Sequence, residues 1–145
     1  MEGPLYKMPA TPQEPGKLDP AAELVAIEQM PVKSIITAPA TGRAVGGDGA
    51  VQVRGFAWSG AGRITRVDLS WDFGQTWSPA NLQDPANPYA WQRFALPIQL
   101  RGPGYYELWA RATDETGATQ PQVVPGWNPG GYLNNAMPRV AVRVA

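Results

Sequence analysis

The side chains that could do chemistry in this chain are carboxylates, amines, guanidiniums, phenols and hydroxyls, because its 145 residues include no histidine and no cysteine. Nucleophilic catalysis by a Ser–His or Cys–His pair needs an imidazole or a thiol, and the usual zinc sites need the same side chains. The composition therefore excludes these enzyme classes, and it excludes disulfide bonds as well. What remains for chemistry is carboxylate, lysine, arginine, tyrosine and hydroxyl side chains.

Three carboxylates are the candidates for such chemistry: Asp72, Asp114 and Glu115. Asp114 and Glu115 are adjacent, and adjacent residues of a strand point to opposite faces, so they cannot flank one bond as a glycosidase pair does. All three acids lie in segments of turn composition, where Asp and Gly have structural roles. An enzyme that uses these acids is thus the least favoured interpretation, and we predict no catalytic, cofactor-binding or metal-binding residue.

The segment at 70–77, with the sequence SWDFGQTW, predicts a structural hairpin. Asp72 follows Ser70 and can cap the turn, Gly74 can supply a positive φ, and Thr76 and Trp77 begin the return strand. The pattern is similar to the Asp-box hairpin of sialidases, in which it is a folding element outside the active site. A propeller would need several copies, and this chain has one.

The chain has 12 basic and 12 acidic residues, which give a formal net charge of zero, and this balance bears on which partners it can bind. Nucleic-acid binding and membrane-surface binding both depend on a basic field. No stretch approaches the ~18 apolar residues of a membrane-spanning helix. We therefore expect neither a nucleic acid nor a membrane as partner.

Apolar residues alternate with polar ones in several segments, and no segment has a convincing helical period. Such segments recur at roughly 8–12-residue spacing between Gly- and Pro-rich turns, which is typical of a sandwich. The prediction is an all-β protein, an immunoglobulin-like antiparallel β-sandwich of about seven strands. At Gly55 the apolar parity changes, which indicates either a bulge or a strand buried on both sides.

Prolines at positions 4, 9, 12, 15 and 20 divide the chain into two parts. Residues 1–23 are predicted to form an extended Pro-rich arm or linker, and residues 24–145 the sandwich. Apolar residues such as Tyr6 and Met8 favour an arm that packs on another surface, while a disordered leader is the alternative.

Tyr105, Trp109 and Arg111 share the strand face opposite a predicted core row. Aromatic residues beside an arginine are typical of the centre of a protein–protein interface, so we predict a dimer interface there. The alternative is that a loop or the second sheet covers this face. Exposed aromatic residues also suit a carbohydrate-binding module, which is the rival function.

The loop at 126–135 combines aromatic and amide side chains, namely those of Trp127, Asn128, Asn134 and Asn135. Loops of this kind often bind ligands. The equally supported alternative is that the asparagines satisfy the loop's own backbone.

Five blocks in register resemble the C-terminal dimerisation domain of the sulfite oxidase family. They are VKSIITAP at 32–39, GFAWSG at 55–60, the hairpin at 70–77, ARATDETG at 110–117 and the loop at 127–135. The resemblance extends over residues 24–145. Residues 6–16 resemble the segment that enters this domain in bacterial sulfite or sulfane dehydrogenase-like members, which are the most similar group.

The resemblance implies a homodimerisation module of a molybdopterin-dependent oxidoreductase, which is not catalytic as an isolated chain. In that family a cysteine of the preceding domain holds the molybdenum, and this sequence has no cysteine. The implied partners are a second copy and a molybdopterin-binding catalytic domain. The resemblance also implies a periplasmic location and places the loop of Trp127, Asn128, Asn134 and Asn135 at the rim of the substrate pocket.

Overall fold

The computed structural model describes residues 6–124 and 126–145. Eleven strands and no helix lie in these residues. The strands are β1 (Lys7–Pro9), β2 (Leu24–Ala26), β3 (Lys33–Ala38), β4 (Arg43–Val45), β5 (Ala50–Trp58), β6 (Ile64–Ser70), β7 (Ser78–Pro79), β8 (Asn81–Leu82), β9 (Gln92–Gln99), β10 (Gly104–Asp114) and β11 (Arg139–Val144).

Nine of these strands form two sheets, which confirms the predicted all-β sandwich. One sheet has the order β4-β11-β10-β6-β7 and the other the order β3-β5-β9-β8, while β1 and β2 pair with each other. One pairing departs from the antiparallel expectation, because β4 runs parallel to β11. The four strands beyond the predicted seven are β1, β4, β7 and β8, and their two or three residues give no readable alternation.

The core lies between the two sheets and is built from the inward rows of the long strands. Alternate residues of each strand point inward, so one row per strand is buried. The buried row of β10 includes Leu108, Ala110 and Ala112, and it faces Val53 and Phe94 of the other sheet within one cluster. The alternation in the sequence therefore predicts the position of the core correctly.

At Gly55, β5 keeps its alternation and is buried on both sides towards its end. Its ladder with β9 runs without a shift from Ala50 to Ala57. Gly55 points inward, where a Cβ atom would lie 2.2 Å from the ring of Phe94. The outward residues Phe56 and Trp58 are covered from outside the sandwich, and Trp58 is buried. Of the two alternatives, β5 itself shows the doubly buried strand, while the ladder between β3 and β5 is irregular at this point, between Ile36 and Ala38 of β3.

The predicted arm contacts the loop at 126–135. Residues 1–5 of this arm lie outside the described residues. Gln13 forms a bridge with Trp127, and the rings of Tyr6 and Tyr132 meet edge to face at 5.3 Å. Within the described part of the chain there is no apolar helix of membrane-spanning length.

Buried polar side chains join the two sheets at one end of the sandwich. Gln92 of β9 accepts from the N–H of Ile64 in β6 at 2.6 Å and donates to the carbonyl of Ile64 at 3.1 Å. Gln120 accepts from the Ser34 hydroxyl in β3 at 2.6 Å and from the N–H of Ala112 in β10 at 3.0 Å. Its amide donates to the carbonyl of Asn135. Each glutamine therefore bridges one strand of each sheet.

We expect Gln120→Leu to destabilise the protein strongly. The variant leaves a buried hydroxyl, a buried N–H and a buried carbonyl without their partner, at a combined cost of about 3 kcal/mol in the free energy of unfolding. Urea denaturation followed by tryptophan fluorescence measures this loss. Exposed Gln122 provides the matched control, since Gln122→Leu should change the stability by less than about 0.5 kcal/mol. Equal effects of the two variants would contradict the assigned role.

Candidate functional site

The outer face of the five-stranded sheet carries the residues predicted as a dimer interface. On β10, Glu107 accepts hydrogen bonds from the Tyr105 hydroxyl and from the Trp109 indole, both at 2.9 Å. These bonds, with the Trp109 indole first, lower the pKa of Glu107, and the bond to Glu107 raises the pKa of Tyr105. The three side chains form one connected row along the strand, anionic at its centre.

Arg111 continues this row. Its guanidinium lies 4.1 Å from the ring centroid of Trp77 and 3.6 Å from a carboxylate oxygen of Asp68 on β6. Asp68 is buried and also pairs with Arg66 at 2.7 Å. The charged groups of this face are therefore largely paired within the chain.

Of the two aromatic residues predicted in this interface, Tyr105 is exposed as expected, whereas the expected exposure is wrong for Trp109. Tyr105 is 49% exposed, whereas Trp109 is only 5% exposed. Arg139 of β11 stacks on the indole of Trp109 at 4.6 Å, and a Cβ atom on Gly74 would lie 3.1 Å from the ring. For Trp109 the structure shows the alternative, in which a loop covers this face.

That loop is the hairpin at 70–77, and Asp72 organises it. The Asp72 carboxylate accepts from the N–H and hydroxyl of Thr76 and from the hydroxyl of Ser70. The bonds from Thr76, that of its hydroxyl first, hold the pKa of Asp72 below its ordinary value. Gly74 has a φ of +81°, and the Trp77 indole donates to the Gly74 carbonyl at 3.1 Å. Every polar group of Asp72 thus serves the turn.

Asp114 and Glu115 have separate structural contacts. Asp114 is buried and accepts from the Ser59 hydroxyl at 2.7 Å and from the hydroxyl and N–H of Thr116. Glu115 accepts from the N–H of Arg63 on the surface. The two carboxylates do not converge on a common space.

The asparagines of the loop at 126–135 bond to backbone groups. Asn128 closes the loop on itself, because its amide accepts from the N–H and donates to the carbonyl of Tyr132, both at 2.9 Å. Asn134 accepts from the N–H of Ala136, and Asn135 donates to the carbonyl of Val32. The structure therefore supports the alternative in which these amides satisfy the backbone, and the rim position of Trp127 stays a prediction.

Comparison with known proteins decides the family. Residues 24–145 match the sequence profile described as Mo-co oxidoreductase dimerisation domain. The chain belongs to this family. The resemblance found in the sequence is thereby confirmed.

Several relatives of this dimerisation domain are sulfite oxidases. The mitochondrial enzyme of Homo sapiens is 39% identical over 127 residues, which cover 83% of this chain and 23% of the relative. The enzyme of Gallus gallus is 38% identical over 120 residues, which cover 79% and 26%. The crystal structure of the sulfane dehydrogenase SoxCD from Paracoccus pantotrophus is 39% identical with a TM-score of 0.63, over 76% of this chain and 29% of that chain.

The dimerisation domain spans about a quarter of the length of these relatives. The rival interpretation as a carbohydrate-binding module receives no support from these comparisons.

A second surface was missed in the sequence, and it lies on the outer face of the four-stranded sheet. Phe56 and Trp58 point outward there, and Trp91 stacks on Trp58 with ring centroids 4.5 Å apart. The parity change at Gly55 is the signal that could have located it. An alternation that continues unbroken through Gly55 places both aromatic side chains on the outer face.

We expect Asp114 to make stability depend on pH in acid. Burial alone would raise the pKa of Asp114, but the hydrogen bonds from Thr116, Ser59 and the backbone outweigh it and lower the pKa below its ordinary value of 3.8. The stabilisation is therefore complete above that value and is lost as the pH falls through the lower folded-state pKa. Asp114→Asn should reduce stability at neutral pH and flatten its fall below about pH 4.

Urea denaturation at a series of pH values measures this effect. Asp84→Asn, at an exposed position, is the control and should leave the acid limb of the profile unchanged. If the stability of Asp114→Asn fell with acid pH as steeply as that of the wild type, the role assigned to Asp114 would be contradicted.

Proposed function

We propose that this chain holds two copies of a sulfite-oxidase-like molybdenum oxidoreductase together and takes no part in the chemistry. The observation that carries the proposal is the match of residues 24–145 to the Mo-co oxidoreductase dimerisation domain. The similarity to sulfite oxidases and to the sulfane dehydrogenase SoxCD supports oxidation of a sulfur compound by the whole protein. Periplasmic location stays a prediction of the bacterial resemblance.

The outer face of the five-stranded sheet is the dimer face in this proposal. A two-fold interface brings one patch against a copy of itself, so a charged patch must contain both signs to be complementary to itself. This face meets that condition. Its strands carry Arg66, Arg111, Arg139 and Arg143 together with Asp68 and Glu107.

Tyr105 is the exposed aromatic residue of β10, near the start of that strand. It lies opposite Arg143 in the ladder between β10 and β11, and its hydroxyl is held by Glu107. A tyrosine fixed in this way loses little conformational entropy on binding, which favours it as an anchor. Arg143 supplies the positive charge that can meet the Glu107 of a second copy across a two-fold axis.

The residues of this chain do not fit a molybdenum site. The sequence has no cysteine thiolate, which is the soft ligand expected for such a metal. In the described residues, no three acidic side chains gather in a way that could hold a metal ion. The molybdopterin cofactor and the substrate chemistry are accordingly proposed to belong to a separate catalytic domain, which is also the proposed second partner.

Sedimentation velocity tests the dimer and its face. We expect the wild-type chain to sediment as a dimer, and Tyr105→Ala to weaken self-association about tenfold or more, because an exposed aromatic anchor is lost. Tyr89→Ala is the matched control, since Tyr89 is also exposed but precedes β9 of the other sheet. A wild-type chain that stays monomeric well above micromolar concentration would contradict self-association. Dissociation by Tyr89→Ala alone would contradict the choice of face.

A further inference from the structure

The outer face of the four-stranded sheet carries charge of one sign. Its strands β3, β5, β8 and β9 include Lys33, Arg54 and Arg93 but no aspartate or glutamate. A surface with one charge sign repels a copy of itself and attracts a partner of the opposite sign. This face therefore differs in kind from the mixed-charge face proposed for the dimer.

Arg54 and Arg93 have no ion pair among the described residues, and both line one cleft of about 420 Å³. Polar side chains of Thr37, Asn81 and Gln83 line the same cleft. Arginine presents a planar fork of donors that matches the two oxygens of a carboxylate. The cleft thus offers two unpaired guanidiniums together with neutral polar groups.

Aromatic side chains adjoin this cleft. Trp91 is 58% exposed, and its ring stacks on that of Trp58 at an interplanar angle of 12°. Phe56 lies 5.9 Å from Trp91 and has the guanidinium of Arg93 at 5.6 Å from its centroid. A large exposed tryptophan beside arginine is the composition that dominates binding energy in protein interfaces.

The buried indole Nε1 of Trp58 adds an independent observation. This N–H group donates to no acceptor in the part of the chain that the structure describes. Buried donors without a partner are rare and unfavourable. The Trp58 side chain, on which Trp91 stacks, is therefore a part of this face that the chain itself does not fully satisfy.

We propose that this surface, formed by Arg54, Phe56, Trp58, Trp91 and Arg93, docks an acidic segment of a protein partner. Its carboxylates bind in the cleft between the two arginines, and its apolar groups pack on Trp91. Three cations are few for a nucleic acid, whose binding depends on many phosphate contacts. The proposal does not depend on self-association, because the face is separate from the dimer face.

The test uses the full chain and an acetylated hexaglutamate peptide as probe, followed by intrinsic tryptophan fluorescence and isothermal titration calorimetry. We expect saturable binding that changes the fluorescence of Trp91 and weakens with added salt. Arg54→Gln with Arg93→Gln should weaken the affinity about tenfold or more, because charge-assisted hydrogen bonds are lost. Trp91→Ala should weaken it as well and should abolish most of the fluorescence change.

The matched control is Arg43→Gln with Arg101→Gln, which removes two exposed arginines outside this face. It should bind hexaglutamate as the wild type does. Equal losses in both double variants, or no saturable binding, would overturn the proposal. Tighter binding of an oligothymidylate than of hexaglutamate would overturn it in favour of nucleic acid. If the double variant Arg54→Gln with Arg93→Gln sedimented as a monomer, the proposal would be overturned, because the occupant of this surface would then be a second copy of this chain.

Discussion

Directional hydrogen bonds between buried side chains fix how the two sheets of this sandwich sit on each other. Apolar contacts in the core have no direction, so packing specifies the offset of the two sheets less sharply than directional hydrogen bonds do. Gln92 bonds to both backbone groups of Ile64, and Gln120 joins Ser34 to Ala112. A shifted sheet would leave these buried groups unpaired, and each unpaired group opposes the shift. The alignment of the sheets therefore depends on a few polar residues at one end.

The same end also positions the outer surfaces. Gln92 points inward, so its neighbour Trp91 is turned outward, where it meets Trp58. Trp58 in turn precedes Ser59, whose hydroxyl is held by the buried carboxylate of Asp114. Because successive residues of a strand point to opposite faces, a side chain fixed inside determines what its neighbour presents outside. The polar interior and the aromatic exterior are thus parts of one arrangement.

The alternation of apolar and polar residues was sufficient to predict the fold class and most of the core. Leu108, Ala110 and Ala112, for example, are buried as their alternate positions in the sequence indicate. It could not show the burial of Trp109, because that depends on the hairpin at 70–77 folding back over β10. Gln92 shares the inward parity of Phe94, so parity alone could have indicated a buried glutamine. Its bonding partner lies 28 residues away in another sheet, and local pattern carries no information about such pairs.

The burial of Trp109 changes what kind of association the five-stranded face supports. Its indole lies beneath Arg139 and the hairpin, so it stabilises the chain itself and adds little apolar area to a contact between chains. What remains accessible is Tyr105 on β10 and Phe73 on the hairpin, together with the surrounding charges, which interact over short range and are screened by salt. Obligate interfaces, by contrast, resemble a divided hydrophobic core. A dimer formed through this face derives its orientation from paired charges and its affinity from few aromatic contacts, so any tighter assembly needs contacts from outside this domain.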